Sequence, residues 1–182
     1  MKKQAMDNYL WQHFFELMVL DKKVFSDIRV REICDKATIH RSTFYRHFED
    51  KYQLLEFGLF TLWNDYFELD EREKFYTPFS TANEFYEKST AEALIRRNEV
   101  DEEFIKTADA FFLKQLSASF STVLKKDSQK GLPNDLLTRF VASSIQAIGE
   151  WAQDQPEKIS HDKMDTLYKK LVLESLDLSS QK

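Results

Sequence analysis

The chain is poor in the residues that punctuate or staple a fold. Of its 182 residues, three are glycine, three are proline and one is cysteine. A lone cysteine, Cys34, excludes an intramolecular disulfide, and with no CxxC motif and only four scattered histidines a zinc site has little support. Sheet proteins of this size need many turn residues, so the shortage of Gly and Pro points to long helices and an all-α fold. Nothing approaches the ~20 consecutive apolar residues that span a bilayer, and no membrane association is expected. The opening MKKQAMDNYLWQHFFELMVLDKK threads charge through its apolar stretch, unlike a signal peptide. The expected compartment is a reducing cytoplasm. Gly-rich phosphate loops, HExxH and GxSxG are missing as well, so neither an enzyme nor a cofactor is expected.

What is present is an ordinary globular composition, 42% apolar and 31% charged, which excludes disorder. A chain of this length can bury roughly 70% of its unfolded surface without staples. Charge is uneven. Residues 1–55 hold ten Lys/Arg against eight Asp/Glu, whereas 56–182 hold sixteen against twenty-three. An acidic total is compatible with DNA binding, because phosphate attraction depends on the field within about 8–10 Å rather than on net charge.

Apolar periodicity places a first helix over 3–20, with Met6, Leu10, Phe14, Leu17 and Met18 on one face. Val24, Phe25 and Ile28 read as buried connectors, followed by a short helix over 30–36 that buries Val30, Ile33, Cys34 and Ala37. Thr38-Ile39 is a tight break, and a third helix over 41–47 sets Phe44 and Phe48 on its packed side. A helix-turn-helix is the natural reading. Asp50 caps a fourth, long helix over 51–68. The pattern weakens over 70–80; Ser80 or Thr81 is then expected to cap a helix reaching Arg97. Further helices are expected over 102–126, 134–152 with Asn134 as cap, and 161–176, with a loop over 127–133.

Residues 29–55 read RVREICDKATIHRSTFYRHFEDKYQLL. The string resembles the DNA-binding segment of the TetR family (TetR/AcrR) of transcriptional regulators, most strongly in Ser42-Thr43-Phe44-Tyr45-Arg46-His47-Phe48-Glu49-Asp50-Lys51 followed by Leu54 and Leu55. Many members have Gly where this chain has Thr38, and a small residue where it has His40. Beyond the N-terminal helices the likeness lies in length, helix pattern and the segment 140–151. It implies a helix-turn-helix DNA-binding domain over 1–50 and a larger helical effector-binding and dimerisation domain over 51–182.

A recognition helix needs short polar or basic groups at its start that reach base edges or phosphates, and Arg41, Ser42 and Thr43 supply them. The resemblance adds Tyr45, His47 and Lys51 as phosphate contacts. Tyr45 can instead pack as a rim aromatic on the first helix, and His47 can be a surface or capping residue. Arg46 reaches a phosphate or pairs with Glu49 or Asp50, and Arg29 is a further candidate at the start of the second helix. One helix-turn-helix reads only a few base pairs, so a homodimer on double-stranded operator DNA is expected. The resemblance implies that 134–152 and 161–176 pair with their symmetry mates through Leu137, Phe140, Val141, Ser144, Ile148, Trp151, Met164, Leu167, Tyr168 and Leu171. The alternative is that these stripes are intrachain core. The resemblance implies a small-molecule pocket in the aromatic-rich stretch from Phe57 to Phe120, which suits a small, hydrophobic effector, although no residue singles out its site. The expected function is a repressor released from its operator by that effector. An activator, or a regulator whose C-terminal helices dock a partner protein, is the alternative.

Overall fold

A computed structural model describes residues 2–86, 91–125 and 131–178, and every regular element among them is helical. In chain order these are α1 (Lys2–Val19), α2 (Val30–Lys36), α3 (Arg41–Tyr45), α4 (Lys51–Leu62), α5 (Asn64–Glu68), α6 (Glu71–Tyr76), α7 (Pro78–Tyr86), α8 (Ala91–Arg97), α9 (Glu102–Lys125), α10 (Asn134–Gln153) and α11 (His161–Tyr168). A π-helical turn, Lys169–Leu173, follows α11. The expected passage of one helix through 87–90, and the expected loop at 127–130, lie outside the described residues. By contact the chain divides into two compact units, 1–67 with 89–110, and 68–88 with 111–182. The boundary expected after residue 50 falls inside the first unit, because α4 packs back on α1.

In the first unit, Leu10, Phe14, Leu17 and Met18 of α1 are buried as their spacing requires, and Met6 is half-buried. Phe25 and Ile28 fill the core between α1 and α2, and Phe25 meets Phe14 at 5.9 Å and Phe104 at 6.1 Å between ring centres. Helix α2 has the bounds its sequence indicates. It ends in a Schellman motif: the Ile39 N–H donates to the Cys34 carbonyl (3.0 Å) and the Thr38 N–H to that of Asp35 (3.2 Å). That motif demands a left-handed residue, and Thr38 sits there at φ 54°. A β-branched side chain at positive φ is strained. Thr38→Gly is therefore expected to stabilise the chain by about 1 kcal/mol, read as a higher urea midpoint with unchanged m.

Helix α3 is shorter than the expected 41–47: it ends at Tyr45, and Arg46 and His47 form a turn. Phe44 and Phe48 are buried and meet at 6.1 Å. Asp50 caps α4 as expected, its Oδ1 accepting the Gln53 N–H at 2.8 Å, while Gln53 Oε1 accepts the Glu49 N–H at 2.8 Å. The helix expected to run unbroken to Glu68 is interrupted at Trp63 (φ −101°, ψ 10°), whose ring is buried. Asn64, a residue that competes for backbone hydrogen bonds, follows the break. Gly58 lies where α4 crosses α1. A Cβ there would stand 2.1 Å from Cε3 of the Trp11 indole.

In the second unit, Asp70 caps α6 by accepting the N–H groups of Arg72 (2.8 Å) and Glu73 (3.2 Å), a helix the weak apolar pattern over 70–80 does not reveal. Helix α7 starts at Pro78, not at the expected Ser80 or Thr81 cap. Proline suits the first turn, where its missing N–H has no intrahelical partner. The free donors of that turn go to Asp165 on α11, which accepts from Phe79 N–H (2.9 Å), Ser80 N–H (3.0 Å) and Ser80 Oγ (2.5 Å). Asn134 is likewise the first helical residue of α10, and Pro133 holds the cap position, its carbonyl accepting the Leu137 N–H at 3.0 Å. The core gathers Phe75, Phe79, Phe120, Val141, Tyr168 and Val172; Phe75 meets Phe120 edge-on at 5.1 Å. Within it the Tyr168 hydroxyl has no hydrogen-bond partner among the described residues, and burial pushes its phenol far above the ordinary range.

The last helix was expected to run regularly over 161–176. Instead it widens after Tyr168, with the Glu174 N–H returning to the Lys169 carbonyl (2.9 Å). The wider turn shifts the apolar frame: Val172 and Leu173 are both buried, while Leu171 is turned out.

Candidate nucleic-acid interface

Arg41, Ser42, Tyr45 and Arg46 form the exposed side of α3 and the turn after it, opposite the buried Phe44 and Phe48. Tyr45 is 52% exposed and rests edge-on against Phe44, ring centres 5.5 Å apart. Thr43 is half-buried, and its Oγ1 accepts from Arg46 Nη2 at 3.2 Å. Arg29 is exposed at the cap of α2, where its backbone N–H donates to Glu32 Oε2 at 3.0 Å. Helices α2 and α3 are held to α1 from two sides. The Tyr9 hydroxyl donates to the Ala37 carbonyl at 3.1 Å, and His47 Nδ1 lies 2.6 Å from Asp7 Oδ1. That pairing leaves Nε2 as the ring nitrogen available to a phosphate.

Lys51 departs from the expected phosphate contact. Its ammonium donates to the carbonyls of Phe25 (3.0 Å) and Ser26 (3.0 Å) and pairs with Glu103 Oε2 at 3.3 Å. Three acceptors match its three N–H bonds, and the nitrogen also lies 4.4 Å from the centre of the Phe25 ring. The side chain is only 13% exposed. Lys51 is therefore an internal tie, with no donor left over for DNA.

The same two loop residues are gripped from the corner between α8 and α9. The Phe25 N–H donates to Asn98 Oδ1 at 2.8 Å and the Ser26 N–H to Asp101 Oδ2 at 2.8 Å. Asp101 Oδ1 meanwhile caps α9 by accepting the Phe104 N–H at 3.0 Å. Arg97 reaches the Lys22 carbonyl, and Tyr52 donates to Glu103 at 2.9 Å. Burial alone would raise the carboxyl of Asp101, but the N–H groups of Ser26 and Phe104 outweigh it and hold the group below its ordinary value. Its contribution is thus complete above the unfolded-state pKa and is lost as pH falls through the folded one. An acidic residue directly before Glu102 was a readable capping signal. The hold of Asn98 on a loop more than seventy residues earlier leaves no local trace in the sequence.

Of the residues expected at a dimer interface, Leu137, Val141, Ile148, Met164 and Tyr168 are buried inside the second unit. They pack in its intrachain core, none more than 7% exposed. Phe140 (50%), Trp151 (43%) and Leu171 (63%) are exposed, while Ser144 and Leu167 are half-buried. Leu136, not foreseen, is 59% exposed. A cleft of about 470 Å³ lies in this unit between α7 and the start of α11, lined by polar side chains including Asn83, Glu84, Lys158 and His161. No helix among the described residues is long and apolar enough to cross a membrane.

Residues 17–56 match the family described as bacterial regulatory proteins, tetR family. No curated protein matches the chain. A solved structure of a putative fatty acid metabolism regulator from Clostridium perfringens is similar at 15% identity, over 96% of this chain and 100% of that one, with a TM-score of 0.41. The matched segment spans the end of α1, the whole of α2 and α3, and the first half of α4. By this segment, 40 of its 182 residues, the chain is similar to bacterial regulatory proteins of the tetR family.

Proposed function

We propose that the chain is a homodimeric repressor that leaves its operator when a small, apolar effector binds. Arg41, Ser42 and Thr43 read base edges, and Arg29, Tyr45, Arg46 and the free nitrogen of His47 hold phosphates. The observation that carries this is the exposed polar side of α3, fixed in direction by the buried Phe44 and Phe48 behind it. The division of labour follows: 1–50 binds DNA, and 51–182 pairs the subunits and takes the effector.

The exposed face of α10 supports pairing. Leu136, Phe140, Ser144, Ala147 and Trp151 recur at three- and four-residue intervals, with bulky groups at its ends and small ones between them. Two such faces pack closely in a symmetric helix bundle, and a second subunit supplies the second half-site. The effector acts by favouring a dimer whose α3 helices are misplaced for adjacent major grooves, a coupling of typically 1–3 kcal/mol.

Selection of bound fragments from the source genome tests the reading, since a recovered operator shows half-site spacing and neighbouring genes. On that operator Arg41→Ala is expected to relax preference at one base pair per half-site by about tenfold, within the ~1–3 kcal/mol of a bidentate arginine–guanine pair. Competition titrations with single-base variants measure it. Only monomers in sedimentation equilibrium, with and without duplex, would remove the proposal. A true effector raises the operator Kd; an unchanged Kd at saturation rejects the release mechanism.

A further inference from the structure

We infer that Asn98 and Asp101 are positioning residues for DNA binding: without touching DNA, they set the loop from which α2 and α3 are hung. The inference rests on the function proposed above and adds a control point to it.

The loop joining α1 to α2 has no ladder or helix to hold its backbone. Its Phe25 and Ser26 N–H groups are taken by the side chains of Asn98 and Asp101, and Lys51 binds both carbonyls. Four polar groups of one dipeptide are thus satisfied by three side chains from elsewhere in the unit. Helix α2 begins at Val30, a few residues further on, so the path of this dipeptide sets where α2 starts. Asn98 is itself fixed, its Nδ2 donating to the Leu94 carbonyl at 2.9 Å. Asp101 serves two masters at once: one oxygen caps α9 and the other holds the loop. A shift of the first turn of α9 cannot leave both bonds intact. That helix continues to Lys125, so its residues 111–125 belong to the second unit while its first turn holds the loop beside α2.

Direct contact with DNA is ruled out by burial and by sign. Asn98 is fully buried, Asp101 nearly so, and a carboxylate repels phosphate. Their influence therefore differs from that of Arg41. Losing either should weaken every duplex alike, leave sequence preference unchanged, and leave the salt dependence of binding unchanged because no phosphate contact is lost.

The test uses the full chain and the duplex that wild-type protein selects from genomic fragments, with a random-sequence duplex beside it. For Asp101→Ala and Asn98→Ala, at a temperature where far-ultraviolet circular dichroism shows native helix content, binding to both duplexes is expected to weaken at least tenfold with an unchanged salt slope. Asp101→Asn, which keeps one strong acceptor, should fall between wild type and Asp101→Ala. Folded variants that bind as wild type overturn the inference, and so does a changed sequence preference. Should the variants not fold, the wild type still decides. If the clamp favours the DNA-competent arrangement, DNA must favour the clamp by the same factor, so saturating duplex should slow amide exchange at Phe25, Ser26 and Phe104 about tenfold. Unchanged exchange at these amides refutes the inference. A wild type that selects no duplex removes the proposed function itself. A loss of preference in Arg41→Ala beside unaltered Asp101→Ala removes the clamp alone.

Discussion

Gly58→Ala is expected to be strongly destabilising, against the usual rule for a helix interior. Replacing a helical glycine by alanine ordinarily gains up to about 1 kcal/mol through backbone entropy. Here the added methyl would stand 2.1 Å from the Trp11 ring, where real carbon contacts need more than 3 Å. The indole has no room to retreat. It is 7% exposed and bounded by Phe14 and Phe15 at 6.1 and 5.8 Å between ring centres. Helices α1 and α4 must separate, and the overpacking outweighs the entropy gain, for a net cost of about 3 kcal/mol. For a chain of this size that corresponds to a Tm lower by roughly 6–12 °C. Because α1 also holds α2 through Tyr9 and the His47 turn through Asp7, operator affinity should fall with it. Gly149→Ala is the contrast: the nearest atom to a new Cβ there is Phe79 Cε1 at 3.9 Å, an ordinary contact, so stability should hold or rise. Scanning calorimetry of the two variants separates a clash from a general intolerance of substitution.

The second large effect is expected at Lys51. Lys51→Met keeps most of the apolar stem but removes all three donors, leaving the Phe25 carbonyl with only the Ile28 N–H (3.2 Å), depriving the Ser26 carbonyl of the ammonium and breaking the ion pair of Glu103. A hydrogen bond from a charged donor contributes about 1.5–3 kcal/mol, less at exposed acceptors such as Ser26 and Glu103, so the net loss is about 2 kcal/mol. Urea unfolding should show it as a lower midpoint. The salt slope of operator binding should stay unchanged. A residue holding a phosphate gives the opposite pattern, a slope smaller by about one unit with stability little altered, and that result would restore Lys51 to the DNA surface.

How far the sequence disclosed this protein depends on the range of the forces involved. Helix α2 was legible to the residue, because its apolar spacing and its terminating turn are local. Asp50 was legible as a cap for the same reason. The start of α7 was not: its donors are satisfied by Asp165, more than eighty positions away, and a reader of neighbouring residues looks for a serine or threonine instead. Lys51 misled in a related way. A lysine at the head of α4 invites a phosphate, and only the folded chain brings the Phe25 and Ser26 carbonyls to it. The α10 stripe was right in period but wide enough to serve two purposes. Half of it lines the core, and Phe140 and Trp151 look outward. At the π-helical turn the period itself changes, so a regular projection placed Leu171 on the wrong side.

Cys34 lies on α2 with its sulfur covered, and burial pushes the thiol up. Its carbonyl is also one of the two that close the end of that helix. Alkylating reagents can reach this sulfhydryl only when the recognition pair opens, so the rate of its modification is a native clock for that opening. The chain carries its own probe of how firmly the reading head is held, and no engineered label is needed to use it.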